Sequence, residues 1–296
     1  MKTRIVISAS RRTDIPAFYM DWFMAGIERG FFTVKNPFNR TSYTVSAAVQ
    51  DVHTIVFWSK DFGRFTDKDF GRILQKKGYN LFFNFTLNSD SDLLEPNIRP
   101  VEHRIDQAGE LCRRFGSETL QWRFDPICFY RTNGKTENNL DDFEYIAQNL
   151  AKMGVGWCVT SFADIYTKMR RRTAADKNFE WIDPPMEKKI RVITRMQQVL
   201  EKLGMNLYTC CEKQVIEALP PDSGIEPSAC IPNRYLAELF GGGLSFQRDS
   251  GQRKEMGCGC MTSKDIGGYA DQPCFHNCLY CYANPKAKTV NENHEP

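Results

Sequence analysis

No apolar run in the sequence approaches the roughly 20 residues that would span a bilayer. The opening residues, Met1-Lys2-Thr3-Arg4-Ile5-Val6-Ile7-Ser8, hold too short an apolar stretch for a secretory signal. No membrane partner is expected, and a cytoplasmic location is. Charge of one sign is also lacking. A net charge of +3 on 296 residues is close to balance, so there is no electrostatic case for nucleic acid as the main partner. No G-x-G-x-x-G follows the first expected strand, which weakens a dinucleotide-binding reading. Internal repeats and low-complexity tracts are missing. Histidine is scarce, at four residues; His53 before a strand and His103 on a helix read as structural.

Cysteine, by contrast, is plentiful, with 11 residues. The number is odd, Cys210 and Cys211 are adjacent, and nothing points to an oxidising compartment. Metal ligation or thiol chemistry is therefore favoured over a disulfide framework. Cys258, Cys260, Cys274, Cys278 and Cys281 crowd the C-terminal end. Cys112, Cys128 and Cys158 sit in apolar surroundings and read as ordinary buried thiols. With 42% hydrophobic and 25% charged residues, the composition is that of a folded chain, and the length suits one large domain with an appendage.

Short β-like runs alternate with amphipathic helical runs over most of the chain. Strands are expected at residues 4–10, 54–59, 79–87, 119–124, 155–162 and 205–210, with a weaker one near 31–34. A helix is expected from 16 to 29. Leu140, Phe143, Ala147 and Leu150 form a stripe at helical spacing that ends at Gly154. Ile190, Ile193, Met196, Leu200 and Leu203 form another that ends at Gly204. Each is followed at once by a strand, the pattern of a parallel α/β sheet. Six or seven such units predict a (β/α) TIM-like barrel, complete or partial, over residues 1–240; an open doubly wound sheet is the alternative.

Several strands alternate in polarity. Gln121, Arg123 and Asp125 oppose Leu120, Trp122 and Phe124, while Asn84, Thr86 and Asn88 oppose Leu81, Phe83, Phe85 and Leu87. Helices should cover the apolar faces, so the polar faces should line a wide, hydrated or ligand-filled interior; a ligand-free hydrogen-bond network is the alternative. Gly241-Gly242-Gly243 opens a Gly- and Cys-rich segment, 241–285, with little periodicity, the signature of a functional or metal-held loop. Residues 286–296 form a polar tail.

Cys274-Phe275-His276-Asn277-Cys278-Leu279-Tyr280-Cys281 has the form C-x3-C-x2-C. Three thiolates so spaced can wrap three irons of a cubane cluster and leave the fourth iron open to an exogenous chelating ligand. With Tyr280 before its last cysteine, the segment resembles the cluster loop of radical S-adenosylmethionine enzymes. The resemblance implies a [4Fe–4S] cluster on Cys274, Cys278 and Cys281. It implies S-adenosylmethionine on the open iron, with Tyr280 near the adenine; Lys60, at the end of strand 54–59, is a further candidate cofactor contact, with a solvated side chain as the alternative. It also implies reductive cleavage to a 5′-deoxyadenosyl radical, an electron donor such as flavodoxin or ferredoxin, and a small-molecule substrate. A broader resemblance, to the bacterial domain-of-unknown-function family 1848, rests on several segments. They are Ile7-Ser8-Ala9-Ser10-Arg11-Arg12-Thr13-Asp14-Ile15-Pro16-Ala17, Val56-Phe57-Trp58-Ser59-Lys60, Trp122-Arg123-Phe124-Asp125-Pro126, Ser263-Lys264-Asp265-Ile266-Gly267 and Cys281-Tyr282-Ala283-Asn284. That family supplies no reaction. Two features depart from the radical enzymes: the loop follows all the expected strands, and no Gly-Gly-Glu segment follows its cysteines. The loop must then fold back over a finished barrel.

Three alternatives stay open. The cysteine motif could be a structural zinc clasp with Cys258, Cys260 or His276 as fourth ligand, or a non-catalytic electron-transfer site. Cys258 and Cys260 could join Cys210, Cys211 or Cys230 in a second metal or cluster site. A metal-independent hydrolase using Arg123, Asp125 and Glu212 is the third. Strand alternation predicts that only one of Cys210 and Cys211 points inward. At the strand ends, where barrel active sites gather, Arg11 and Arg12 suit a carboxylate or phosphate. Asp14 has a helix-capping alternative, Arg123 and Asp125 an ion-pair alternative, and Glu212 stands at another mouth position.

Overall fold

A computed structural model describes residues 3–36, 39 and 41–283; the expected tail lies outside them. The strands are β1 (Ile5–Ala9), β2 (Phe31–Lys35), β3 (Ser42–Ser46), β4 (Val52–Ser59), β5 (Asn80–Thr86), β6 (Leu120–Ile127), β7 (Phe129–Thr132), β8 (Lys135–Asn138), β9 (Trp157–Phe162), β10 (Phe179–Ile182), β11 (Asn206–Thr209), β12 (Glu226–Pro227) and β13 (Lys264–Asp265). Eight of them form one sheet in the order β12-β11-β9-β6-β5-β4-β1-β13, with every pairing parallel. The sheet is compatible with a partial barrel, and its edges are the two-residue strands β12 and β13. The run at 31–34 is a real strand, but it pairs with β3 in a separate hairpin. β7, β8 and β10 make a small antiparallel sheet.

The alternation read in the sequence sorts the two faces. Phe83, Phe85, Leu120, Trp122 and Phe124 pack outward against Ile105, Ala108, Leu111, Phe143 and Ile146 in the main core. These partners belong to the helices Val101–Phe115 and Phe143–Lys152. The second expected stripe lies on the helix Met186–Glu201. Both helices stop as expected because Gly154 (φ 83°) and Gly204 (φ 70°) take left-handed backbone that other residues resist. The expected helix 16–29 is two helices, Ile15–Phe18 and Met20–Arg29, broken at Tyr19. The break lets the Tyr19 hydroxyl reach the Pro273 carbonyl at 2.6 Å.

The interior corrects the expectation of a wide, hydrated barrel. Its N-terminal half is filled by the chain itself: Ile231 and Leu236, at the helix Asn233–Phe240, pack on Val6, Val56 and Phe82. The Tyr235 ring lies 4.6 Å from Trp157 and 6.1 Å from Phe82. One short helix touching side chains from β1, β4, β5 and β9 requires the sheet to curl around it. Some polar inner groups are satisfied by the chain itself, Asn84 Nδ2 donating to the Cys230 carbonyl at 3.0 Å, while Asn84 Oδ1 and Gln121 Oε1 are buried without a partner among the described residues.

The segment after 240 is sewn to the first strand. β13 adds to β1, and the Asp265 carboxylate accepts from Ser8 Oγ (2.9 Å), Ser10 Oγ (2.7 Å) and the Arg11 backbone N–H (2.8 Å). Gly267 lies so close that a Cβ there would stand 2.1 Å from Ser10 Oγ. Gly267→Ala is therefore expected to lower stability by roughly 1–3 kcal/mol, read as a lower midpoint in denaturant titration. An unchanged midpoint would mean that this seam is loose.

Candidate metal centre

Beyond β13 the chain crosses the C-terminal ends of β1, β4 and β5, as a loop folding back over a finished barrel must. Its backbone is gripped from below. Asn97 Nδ2 donates to the Phe275 carbonyl at 2.8 Å, and the Leu279 N–H donates to the Leu94 carbonyl at 2.8 Å. Arg172 Nη1 donates to the Cys278 and Leu279 carbonyls, each at 3.1 Å. With the main chain so held, Cys274, Cys278 and Cys281 lie on one short loop, near enough for their charges to act on one another. Burial pushes the Cys274 and Cys278 thiols up; Cys281 adds to both by charge proximity, and Cys274 adds to Cys278. The ammonium of Lys60 acts on Cys278 in the opposite sense.

His276, inside the loop, is engaged at both ring nitrogens. Nε2 meets Asp14 Oδ2 at 2.8 Å and Nδ1 meets the Asn97 carbonyl at 3.4 Å. Asp14 is a buried hub. It caps the helix Ile15–Phe18 through the Ala17 N–H at 3.0 Å and accepts from Ser59 Oγ (2.8 Å) and the Lys60 N–H (2.9 Å). It thus fulfils the capping role and fastens the cysteine loop as well.

Tyr280 is buried beneath the loop. Its hydroxyl donates to Glu95 Oε1 in a short bond, and Lys60 Nζ (2.9 Å) and Asn88 Nδ2 (2.7 Å) meet the same oxygen. Arg104, wholly buried, lies 3.9 Å from the other oxygen. Burial pushes the Glu95 carboxyl up. The charges of Lys60 and Arg104 and the Tyr280 hydrogen bond outweigh it and hold the group down at about 2. Lys60 and Tyr280, expected at the cofactor, are thus joined through Glu95, with the ammonium 5.4 Å from the Tyr280 ring centroid.

A second group of thiols lies deeper in the mouth. Cys210, Cys211, Cys230, Cys258 and Cys260 are all buried and packed together with Val159. Cys210 Sγ is 3.5 Å from Cys230 Sγ and 3.7 Å from Cys211 Sγ. Cys211 and Cys258, Cys258 and Cys260, and Cys260 and Cys230 are each close enough to act on one another's thiol. The five sulfurs form a closed ring. Both Cys210 and Cys211 belong to it, against the expectation from strand alternation. β11 ends at Thr209, and Cys211 takes left-handed backbone at φ 62°, so the alternation no longer applies. Among the described residues, no group of three or more His, Cys, Asp and Glu side chains is already set to hold a metal ion; in the ring, sulfur meets sulfur.

The remaining strand-end groups lie beside these thiols. Arg123 Nη1 donates to Cys230 Sγ at 2.8 Å, and Nη2 pairs with Asp125 in a short contact. Asp125 also accepts from Ser161, so Arg123 and Asp125 form an internal ion pair. Burial works against the Asp125 charge, but Arg123 and these bonds win and hold its carboxyl low. Arg11 reaches Cys260 and lies 4.0 Å from Asp249. The Arg11 and Arg123 guanidiniums lie 5.3 and 5.5 Å from the Trp58 ring. Arg12 turns away, donating to the Gly267 carbonyl at 3.1 Å. Glu212 accepts the Phe162 N–H at 2.7 Å, and burial lifts its carboxyl to about 7.

Glu95 and Arg104 were not singled out by the sequence, and Asn88 was read only as part of a polar strand face. Asn88 and Glu95 follow β5 at the mouth, and that position was the available signal. Cys112 is half-buried, while Cys128 and Cys158 are buried. Cavities of about 270 and 500 Å3 lie along β1 and β13 by Arg4, Ile5 and Lys264, away from the thiols. They are shallow clefts beside the seam; the convergence of donors marks the site better than open volume does. No helix among the described residues is long and apolar enough to cross a membrane.

A family model described as domain of unknown function (DUF1848) matches residues 6–283. No curated protein matches. Among solved structures, D-hydantoinase from a Bacillus sp. AR9 is similar at 12% identity and a TM-score of 0.32, over 64% of this chain and 41% of that one. Dihydropyrimidinase from Brevibacillus agri NCHU1002 is similar at 12% identity and a TM-score of 0.32, over 65% and 42%. The chain thus spans less than half the length of either.

Proposed function

We propose that this chain, which belongs to the DUF1848 family, is an iron–sulfur enzyme carrying one [4Fe–4S] cluster on Cys274, Cys278 and Cys281 and cleaving S-adenosylmethionine reductively. The observation that carries the reading is that these three thiols sit on one loop pinned by its backbone over the strand ends, while the fourth donors of a zinc clasp are occupied elsewhere. Cys258 and Cys260 belong to the five-thiol ring, and His276 spends both nitrogens on Asp14 and Asn97. Three thiolates without a fourth suit a cubane with an open iron; a structural zinc site wants four. When bound, the cluster would supply the electron for cleaving the cofactor's sulfur–carbon bond.

The chain's own residues do the holding. Lys60, Glu95 and Tyr280 anchor the loop from beneath, and Asp14 fixes its centre through His276. Lys60 sets a positive charge near Cys278 and favours its thiolate. Arg11 and Arg123, held against Trp58, keep their charge inside the mouth, near Asp249 and on Asp125 and Cys230. The partners under this reading are a small molecule and an electron donor such as flavodoxin or ferredoxin.

Anaerobic purification followed by iron and sulfide analysis tests the cluster; about four of each per chain are expected. Dithionite and S-adenosylmethionine should then yield 5′-deoxyadenosine or methylthioadenosine. A colourless protein without iron would overturn the reading. A loaded cluster that releases neither product would leave an electron carrier or a structural clasp.

A further inference from the structure

We propose that the five-thiol ring of Cys210, Cys211, Cys230, Cys258 and Cys260 is a second metal site, taking a single zinc-class ion through four of its sulfurs, independently of the C-terminal loop. Spacing argues for one ion over a second cluster. Tetrahedral ligands about 2.3 Å from zinc stand roughly 3.8 Å apart, and Cys210 stands 3.5 Å from Cys230 and 3.7 Å from Cys211. Thiolates on the separate irons of a cubane must stand much farther apart.

Two features support the site. First, Arg123 Nη1 donates to Cys230 Sγ at 2.8 Å, and the Arg11 guanidinium lies on the same Trp58 ring that Arg123 meets. An ion with four thiolates carries two net negative charges, and these two guanidiniums would offset them. Secondly, the left-handed backbone at Cys211 (φ 62°) turns two consecutive thiols to one side. A non-glycine residue in that region costs about 1 kcal/mol or more, which the ring gives a reason to retain. On capture, the ion replaces the protons of four thiols. The sulfurs exchange S–H···S contacts for metal–sulfur bonds, the protons go to solvent, and no oxidant or reductant is needed.

The test uses the full chain with Cys274, Cys278 and Cys281 all replaced by Ala, so that failure of the loop reading cannot affect it. Cobalt(II) titration should give the intense ligand-field bands of a tetrahedral thiolate complex, saturating at about one equivalent and displaced by zinc. Adding Cys258→Ser and Cys260→Ser leaves three thiols and should weaken cobalt binding by at least roughly 100-fold, whereas adding Cys112→Ser should change nothing. Zinc analysis of the unmutated protein, purified under reducing conditions, guards against a variant that fails to fold; about one tightly held zinc per chain is expected. Absent cobalt bands in a folded protein, bands indifferent to Cys258 and Cys260, iron with sulfide on the ring, or a disulfide among the five would each overturn the proposal.

Discussion

Replacing Cys278 with Ala is expected to strip the anaerobically isolated protein of its loop-bound iron and sulfide and to reduce S-adenosylmethionine cleavage to background. The same outcome is expected for Cys274 and Cys281. A cubane held at three corners has no spare ligand, so losing one thiolate leaves two irons without protein donors. The main-chain grip on the loop does not depend on the sulfur, since Arg172, Leu94 and Asn97 bind backbone groups. The variant should therefore fold, and circular dichroism checks that it does. Cys112→Ala, at a half-buried thiol on the helix Val101–Phe115, should keep its iron. Iron retained in Cys278→Ala would remove this cysteine from the ligand set.

Glu95→Gln is expected to lower stability by roughly 3–5 kcal/mol near neutral pH, the range for breaking a buried charge cluster from one side. Glu95 is 5% exposed and answers two cations, Lys60 at 2.9 Å and Arg104 at 3.9 Å. A neutral amide would leave Lys60 buried without its charge partner, while Arg104 keeps Asp90 at 2.8 Å. The pH dependence follows from the direction of the shift. The folded carboxyl lies at about 2, below its ordinary 4.5. Its stabilisation is therefore complete above 4.5 and is lost as pH falls from there through about 2; the linkage is worth roughly 3 kcal/mol. Urea titrations should show the gap between wild type and Glu95→Gln widest near neutrality and narrowing in acid below 4.5. A gap that stays constant in acid would mean that the carboxylate charge does not stabilise the fold. Because Tyr280 donates to the same oxygen, the variant should also loosen the loop and slow reconstitution with iron.

The outward faces of β5 and β6 were legible because burial against helices imposes a period of two, and Gly154 and Gly204 marked helix ends by the backbone they alone adopt easily. The inner face was less legible. Asn84 and Arg123 showed correctly which side is polar, but the pattern could not say what fills it. The answer, the helix Asn233–Phe240 and a ring of thiols, comes from residues more than a hundred positions away. The three loop cysteines were legible as a motif because their spacing is local. Membership of Cys210 and Cys211 in one ring was hidden by a left-handed residue at the strand end. The Glu95 hub was hidden for a similar reason: Lys60, Asn88, Glu95, Arg104 and Tyr280 come from separate parts of the chain, and only the fold brings their charges together.

The most direct measurement is electron paramagnetic resonance of the reduced, reconstituted protein with and without S-adenosylmethionine. A cluster with an open iron binds the cofactor directly, so the cluster's signal is expected to change shape on adding S-adenosylmethionine, and to vanish in Cys278→Ala. A reduced cluster whose spectrum is identical with and without S-adenosylmethionine, or a protein that holds only a single ion on Cys274, Cys278 and Cys281, would contradict it.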